Sequence, residues 1–225
     1  MEGELELATV EVLGALSYGQ LRSFESAARA IRHAPDCVAA DQLAELAVRE
    51  HRAYEALRDH LAARTDLATA VMDRQKPHFD AYFDRVPLDD WFGAGVFFAI
   101  GLPIAADFGR ALAPMLSPET AVVVVGALAD RAPFERFAIA HLRELLVDDD
   151  APERARHIAA DVLGRALTAF QGVVADTDAL KVLVEHHAAE EGVSGEAGVK
   201  QLAITVLEGH RRRLVALGLE GLDEL

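Results

Sequence analysis

The stretch from Trp91 to Ala106 most limits what this chain can fold into. Val96, Phe97, Phe98, Ile100, Leu102 and Ile104 leave it no polar side, and a helix that is apolar all round has to be buried. Asp89 or Asp90 is placed to cap its start. Gly101 and Pro103 are expected to kink or interrupt it. Asp107 ends the run before it reaches the roughly 18 uncharged residues of a membrane span, so no spanning helix is expected.

The segments on either side are helical too. Leu13, Leu16, Phe24, Ala27 and Ile31 recur at helical spacing over about Glu4–His33. After a break at Ala34-Pro35-Asp36, Leu43, Leu46, Leu57 and Leu61 mark a second helix to about Arg64, and a shorter one ends near Phe83. Ser117-Pro118-Glu119 is a helix start, and that helix is expected to reach about Leu146 with a bend where Pro133 follows Asp130. Asp150 is placed to cap a helix from Glu153 to about Val174. A short helix over Asp178–His187 and a polar loop over Glu190–Gly198 lead to a last helix from about Ala197 to Ala216, closed by Gly218. Long helices with short joins predict an all-α fold, an antiparallel four-helix bundle core with additional helices. Residues 1–225 are read as one domain.

Composition narrows the function. The 37 acidic and 22 basic residues give a net charge of −15, a field that repels free nucleic acid. The basic run Arg211-Arg212-Arg213 reads as the solvated last turn of a helix, where cations suit the negative end of the dipole. Cys37 is the single cysteine, which excludes a disulfide framework and a cysteine metal site. The acidic N-terminus is unlike a signal peptide, and a cytoplasmic setting is expected.

The informative residues are four acids set into apolar stripes. Glu25 shares a helix face with Tyr18, Leu21 and Ala28. Glu50 shares one with Leu43, Leu46 and Leu57. Asp107 follows Ile100 and Ile104, and Asp130 sits between Val123, Ala127 and Phe137. A buried carboxylate needs a proton, a base, hydrogen bonds or a metal. One acid from each of four core helices is the pattern of a ferritin-like di-iron or di-manganese bundle. Arginine pairing is the competing reading, because Arg49, Arg52, Arg110, Arg131 and Arg136 lie close enough in sequence to neutralise some of these acids.

The chain also resembles a family, the MiaE-like tRNA hydroxylases and particularly their actinobacterial ferritin-like branch. The likeness is carried by the order of several pieces: Leu13-Gly14-Ala15-Leu16-Ser17-Tyr18-Gly19 before Phe24-Glu25; Glu50 with Leu57-Arg58-Asp59-His60-Leu61; Ala105-Ala106-Asp107-Phe108; Ser117-Pro118-Glu119-Thr120; Leu128-Ala129-Asp130; and the tail Glu208-Gly209-His210 through Leu219. The resemblance implies a non-haem di-iron hydroxylase acting on tRNA with dioxygen. It would make Glu25, Glu50, Asp107 and Asp130 the metal ligands, with iron or manganese as cofactor.

The sequence departs from that family where histidine ligands belong, three residues after the second and fourth acids. Ala53 and Pro133 stand there, and neither binds a metal. Four carboxylates alone make a harder, weaker site, better suited to magnesium, manganese or calcium than to oxygen-activating iron. His51 is about 100° round the helix from Glu50. His141 lies far beyond Asp130, His78 is free to fold inward, and His186, His187 and His210 read as surface residues. Two functions follow: a degenerate member of the hydroxylase family, with tRNA as the partner implied by resemblance but opposed by charge, or a non-catalytic ferritin-like binding or scaffolding protein, for which a homodimer is one form. On the second reading, Glu50→Ala is expected to be neutral or stabilising. Trp91, Phe92, Phe97 and Phe98 read as plain core rather than as the wall of a ligand pocket. No phosphate-binding loop, nucleophile elbow or zinc signature is present.

Overall fold

The computed structural model describes residues 2–129 and 131–219, and every element among them is helical. Helix α1 (Glu2–Ala30) ends in a 3-10 turn, Ile31–His33, and α2 (Cys37–Ala62) packs back along it. A joint this short makes the two antiparallel neighbours. Asp36 caps α2 by accepting from the Ala39 amide at 2.8 Å. Helix α3 (Ala68–Phe83) lies against both α1 and α8 (Ala151–Asp176).

The apolar stretch is divided as its glycine and proline suggest. Asp90 caps α4 (Trp91–Val96), accepting from the Gly93 amide at 2.7 Å. The next turn, Phe97–Gly101, is π-helical, and α5 (Leu102–Leu112) follows with Pro103 in its first turn. Gly101 is needed there, since a Cβ on it would lie 2.6 Å from Val162 Cγ1 of α8. The helical stretch Trp91–Met115 is long and apolar enough to cross a membrane, but 78% of its most apolar window is buried inside the protein, as in a core helix. Phe97 and Phe98 are core residues, and Trp91 and Phe92 pack against the same cluster half-buried.

The helix expected to continue to Leu146 is instead two. Helix α6 (Pro118–Ala129) stops, Arg131 occupies the turn, and α7 (Ala132–Leu145) begins afresh. Pro133 falls in the first turn of α7, where its missing N–H would have no helical partner in any case. The proline therefore starts a helix rather than bending one. Asp150 precedes α8 without a side-chain capping bond. Helix α9 (Ala179–Glu191) and α10 (Gly195–Leu217) reach further towards each other than the polar sequence between them suggested. They end at Gly192 and Gly218, both left-handed at φ 70° and 69°.

Among the described residues, the buried side chains form two apolar clusters. One gathers around Phe83, Phe97, Ile100 and Leu142, the other around Leu13, Leu57, Leu112 and Leu128, and the half-buried Phe79 and Phe108 pack against both.

Candidate functional site

Glu50 lies on the buried face of α2, in step with Leu43, Leu46, Ala53 and Leu57, and is 1% exposed. Its carboxylate is met by Arg131, itself 4% exposed, whose Nη2 donates to Glu50 Oε2. The same guanidinium donates to Gln20 Oε1 of α1 at 3.0 Å and to the Leu102 carbonyl at 3.4 Å. One arginine thus joins α1, α2, α5 and the α6–α7 break. Burial pushes the Glu50 carboxyl upward, Arg131 opposes that rise, and the Glu135 carboxylate adds to it. The upward direction holds because Glu50 has lost nearly all its water.

Asp107 is the second buried acid, on α5. Arg110, one turn on, donates to Oδ1 at 2.7 Å, and Arg213 of α10 stands 2.8 Å from Oδ2. The second contact is an ion pair without hydrogen-bond alignment. Gly209 makes this approach feasible. A Cβ on it would sit 2.9 Å from Asp107 Cγ and closer still to Oδ2. Beside it, His210 is 5% exposed and its Nδ1 has no hydrogen-bond partner among the described residues. Burial lowers its pKa to about 4, with Arg213 lowering it further and Asp107 opposing, so the ring is neutral at physiological pH.

Of the other two acids, Glu25 does not join these. Glu25 is half-exposed and pairs with Arg29 and Arg22 of its own helix at 3.4 and 3.7 Å. Asp130 lies outside the described residues. Among the described residues, no group of three or more histidine, cysteine or carboxylate side chains is gathered as a metal would need. The oxygens of Glu50 and Asp107 face guanidinium groups, and Ala53 fills the buried position one turn beyond Glu50. A di-metal centre does not fit the described donors, because a guanidinium and a cation compete for the same oxygens. The same pairing argues against a harmless Glu50→Ala. Arg131 compensates Glu50, so removing the acid strands a buried cation.

Among the described residues, no histidine joins these acids in a metal-binding group. His51 faces Glu55 at 3.4 Å and packs edge-on against Phe24, away from Glu50. His141 accepts from Trp91 Nε1, and His78 rests beside Gly172 of α8. His186 and His187 are half-buried. His210, read from the sequence as a surface residue, is buried, and Arg213, read as solvated, turns inward. Arg211 and Arg212 do lie at the surface.

The family model described as "Ferritin-like domain, actinomycetes" matches residues 4–187. The chain belongs to this family. No curated protein matches it. In this ferritin-like domain the Glu50–Arg131 pair lies within the matched region, whereas Gly209, His210 and Arg213 of α10 lie beyond it. Gln20 and Arg213 escaped the sequence reading as partners. The polar Gln20 beside Leu21 on a mostly apolar helix was the available signal.

Proposed function

We propose that this ferritin-like protein is a non-catalytic binding protein, in which arginine side chains hold the charges that a metal would otherwise neutralise. The carrying observation is the buried Arg131–Glu50 pair. Arg110 and Arg213 repeat the arrangement at Asp107. Each guanidinium is always charged and offers fixed donors, so both acids are compensated without an ion. A cytoplasmic setting, as monomer or homodimer, accords with this reading, and the charge of −15 disfavours tRNA as partner.

The competing reading is a MiaE-like hydroxylase holding iron or manganese on Glu25, Glu50, Asp107 and Asp130. It is favoured by the family resemblance and requires Arg131 and Arg213 to withdraw from their acids. Anaerobic loading with ferrous iron or manganese, followed by metal analysis and thermal melting, separates the two. The expected result is sub-stoichiometric metal and an unchanged Tm. Two metals per chain, lost in Glu50→Gln and Asp107→Asn, would establish the hydroxylase-type site instead.

A further inference from the structure

Helix α6 turns a face without a polar side chain to solvent. Residues 120–129 include no charged side chain. Thr120, Val124 and Leu128 point inward, while Val122, Val125, Gly126 and Ala129 are exposed, Val122 at 73% and Val125 at 45%. Steps of three and four residues put these four on one stripe. Exposed apolar residues elsewhere are broken up by charge. On α10, Ile204, Leu207 and Val215 share the surface with Glu208, Arg211 and Arg212. A solvent-facing helix carries its polar residues outward, so an outer face left wholly apolar marks a contact surface.

Gly126 lies at the middle of this stripe. A Cβ on it would meet nothing within 4 Å beyond its own helix, so packing inside the chain does not call for a glycine. Glycine within a helix is less stable than alanine, and what it provides here is room for another backbone to come close. The charges at the two ends of α6 indicate what comes. At its start, Glu119 and Glu6 flank the mostly covered Arg64 at 3.5 and 3.6 Å. At its end, Arg110 donates to the Leu128 carbonyl. Helix α2 runs antiparallel to α6, since His60 touches Thr120 at 3.1 Å and Glu50 meets Arg131 just past Ala129. That places the exposed Arg52 beside the last turn of α6, with the exposed Val48 and Ala56 on either side of it along α2. The start of the face is therefore acidic and its end basic, even counting Asp130, which follows Ala129 in the chain.

We propose that α6 is the contact surface of a reversible homodimer, packed antiparallel on α6 of a second copy about a twofold axis close to Gly126. A twofold contact sets the same patch against itself. In the antiparallel arrangement each acidic start meets the basic end of the other copy, and the helix dipoles oppose favourably. A parallel arrangement would bring like charges together. The helix is about 18 Å long, so the shared area falls below the roughly 800 Å² per partner of a standard interface, and the two copies exchange rather than fuse. The dimer stands independently of whether any metal binds at the acids.

Sedimentation velocity on the full-length protein, from about 5 to about 500 μM, is expected to show a monomer–dimer equilibrium with a Kd of about 10–100 μM. Val122→Glu, at an exposed position, is expected to weaken it by about tenfold or more with unchanged helical circular dichroism. Gly126→Gln is expected to weaken it similarly while leaving the Tm of the monomer unchanged or raised, because glutamine is the better helix former. Glu119→Arg and Arg52→Glu are each expected to weaken it by about three- to tenfold, and the two together, which keep the net charge, to return it to within about twofold of the wild type. Within one chain these residues stand at opposite ends of α6, so mutual rescue reports the contact between copies. A monomer at every concentration would overturn the dimer. Unchanged association in folded Val122→Glu would overturn the α6 face, and failure of the paired charge exchange to rescue would overturn the antiparallel arrangement.

Discussion

Arg131 is 81 residues from Glu50 in sequence, yet its guanidinium meets the Glu50 carboxylate in the middle of the bundle. Both groups have given up nearly all their water, so neither is tolerable there without the other.

Arg131→Leu is therefore expected to cost about 3–5 kcal/mol at neutral pH, read by urea denaturation. The loss should shrink under mildly acidic conditions. Glu50 already titrates above its unfolded value because of burial, and losing Arg131 raises it further. A raised carboxyl favours the folded state while protonated, and that contribution disappears as pH rises through the folded pKa. A loss that grows on acidification would contradict the pairing.

Glu50→Leu alone is expected to cost as much, since it leaves Arg131 buried and unpaired. The double variant Glu50→Leu/Arg131→Leu is expected to fall near the wild type or above it, because well-packed hydrophobic replacements of buried ion pairs often do. The double-mutant cycle measures this coupling. Additive losses would show that the two side chains act separately.

Gly209→Ala tests the close approach of α10 to α5. The added methyl would overlap the Asp107 carboxylate, and overpacking of this kind costs about 1–3 kcal/mol. Because the obstruction is the side chain of Asp107, Asp107→Ala should relieve it. The expected result is that Gly209→Ala costs less stability in the Asp107→Ala background than in the wild type.

His210 should make the fold acid-sensitive. Its folded pKa is depressed to about 4 by burial and by Arg213. A depressed base contributes stability above its unfolded pKa, about 6.5, and that contribution is lost as pH falls through the folded value. Melting temperatures across this window should fall less steeply in His210→Gln than in the wild type. An unchanged slope would mean that His210 is not buried neutral.

Much of this architecture was legible from the sequence. Apolar residues at helical spacing located α1 and α2, and Asp90 and Gly218 marked the start of α4 and the end of α10 through chemistry that acts within a few residues. Among the inner acids, Glu50 and Asp107 were recognisable as buried because each interrupts an apolar stripe. What neutralises them was only half legible. Arg110 is a helical turn from Asp107, a local relation, and Arg131 was one of several nearby candidates. Arg213 comes from α10, and only the packing of α10 on α5 brings it to Asp107. Its position in a basic triplet near a helix end suggested solvent, because local pattern carries no record of which face a distant helix will cover.

The broken helix between Ala129 and Ala132 has a consequence for how the bundle finds its alignment. Leucines and alanines in a core are nearly interchangeable, and a helix can slide past its neighbour by one turn, about 5.4 Å, and still bury oil against oil. The break presents Arg131 at one height only. Slipping it by a turn would leave a cation and an anion separately immersed in hydrocarbon, a penalty far beyond that of a misplaced methyl group. The charges at Glu50 and Asp107 thus act as keyways, admitting one register of helices and rejecting the many that hydrophobicity alone would accept.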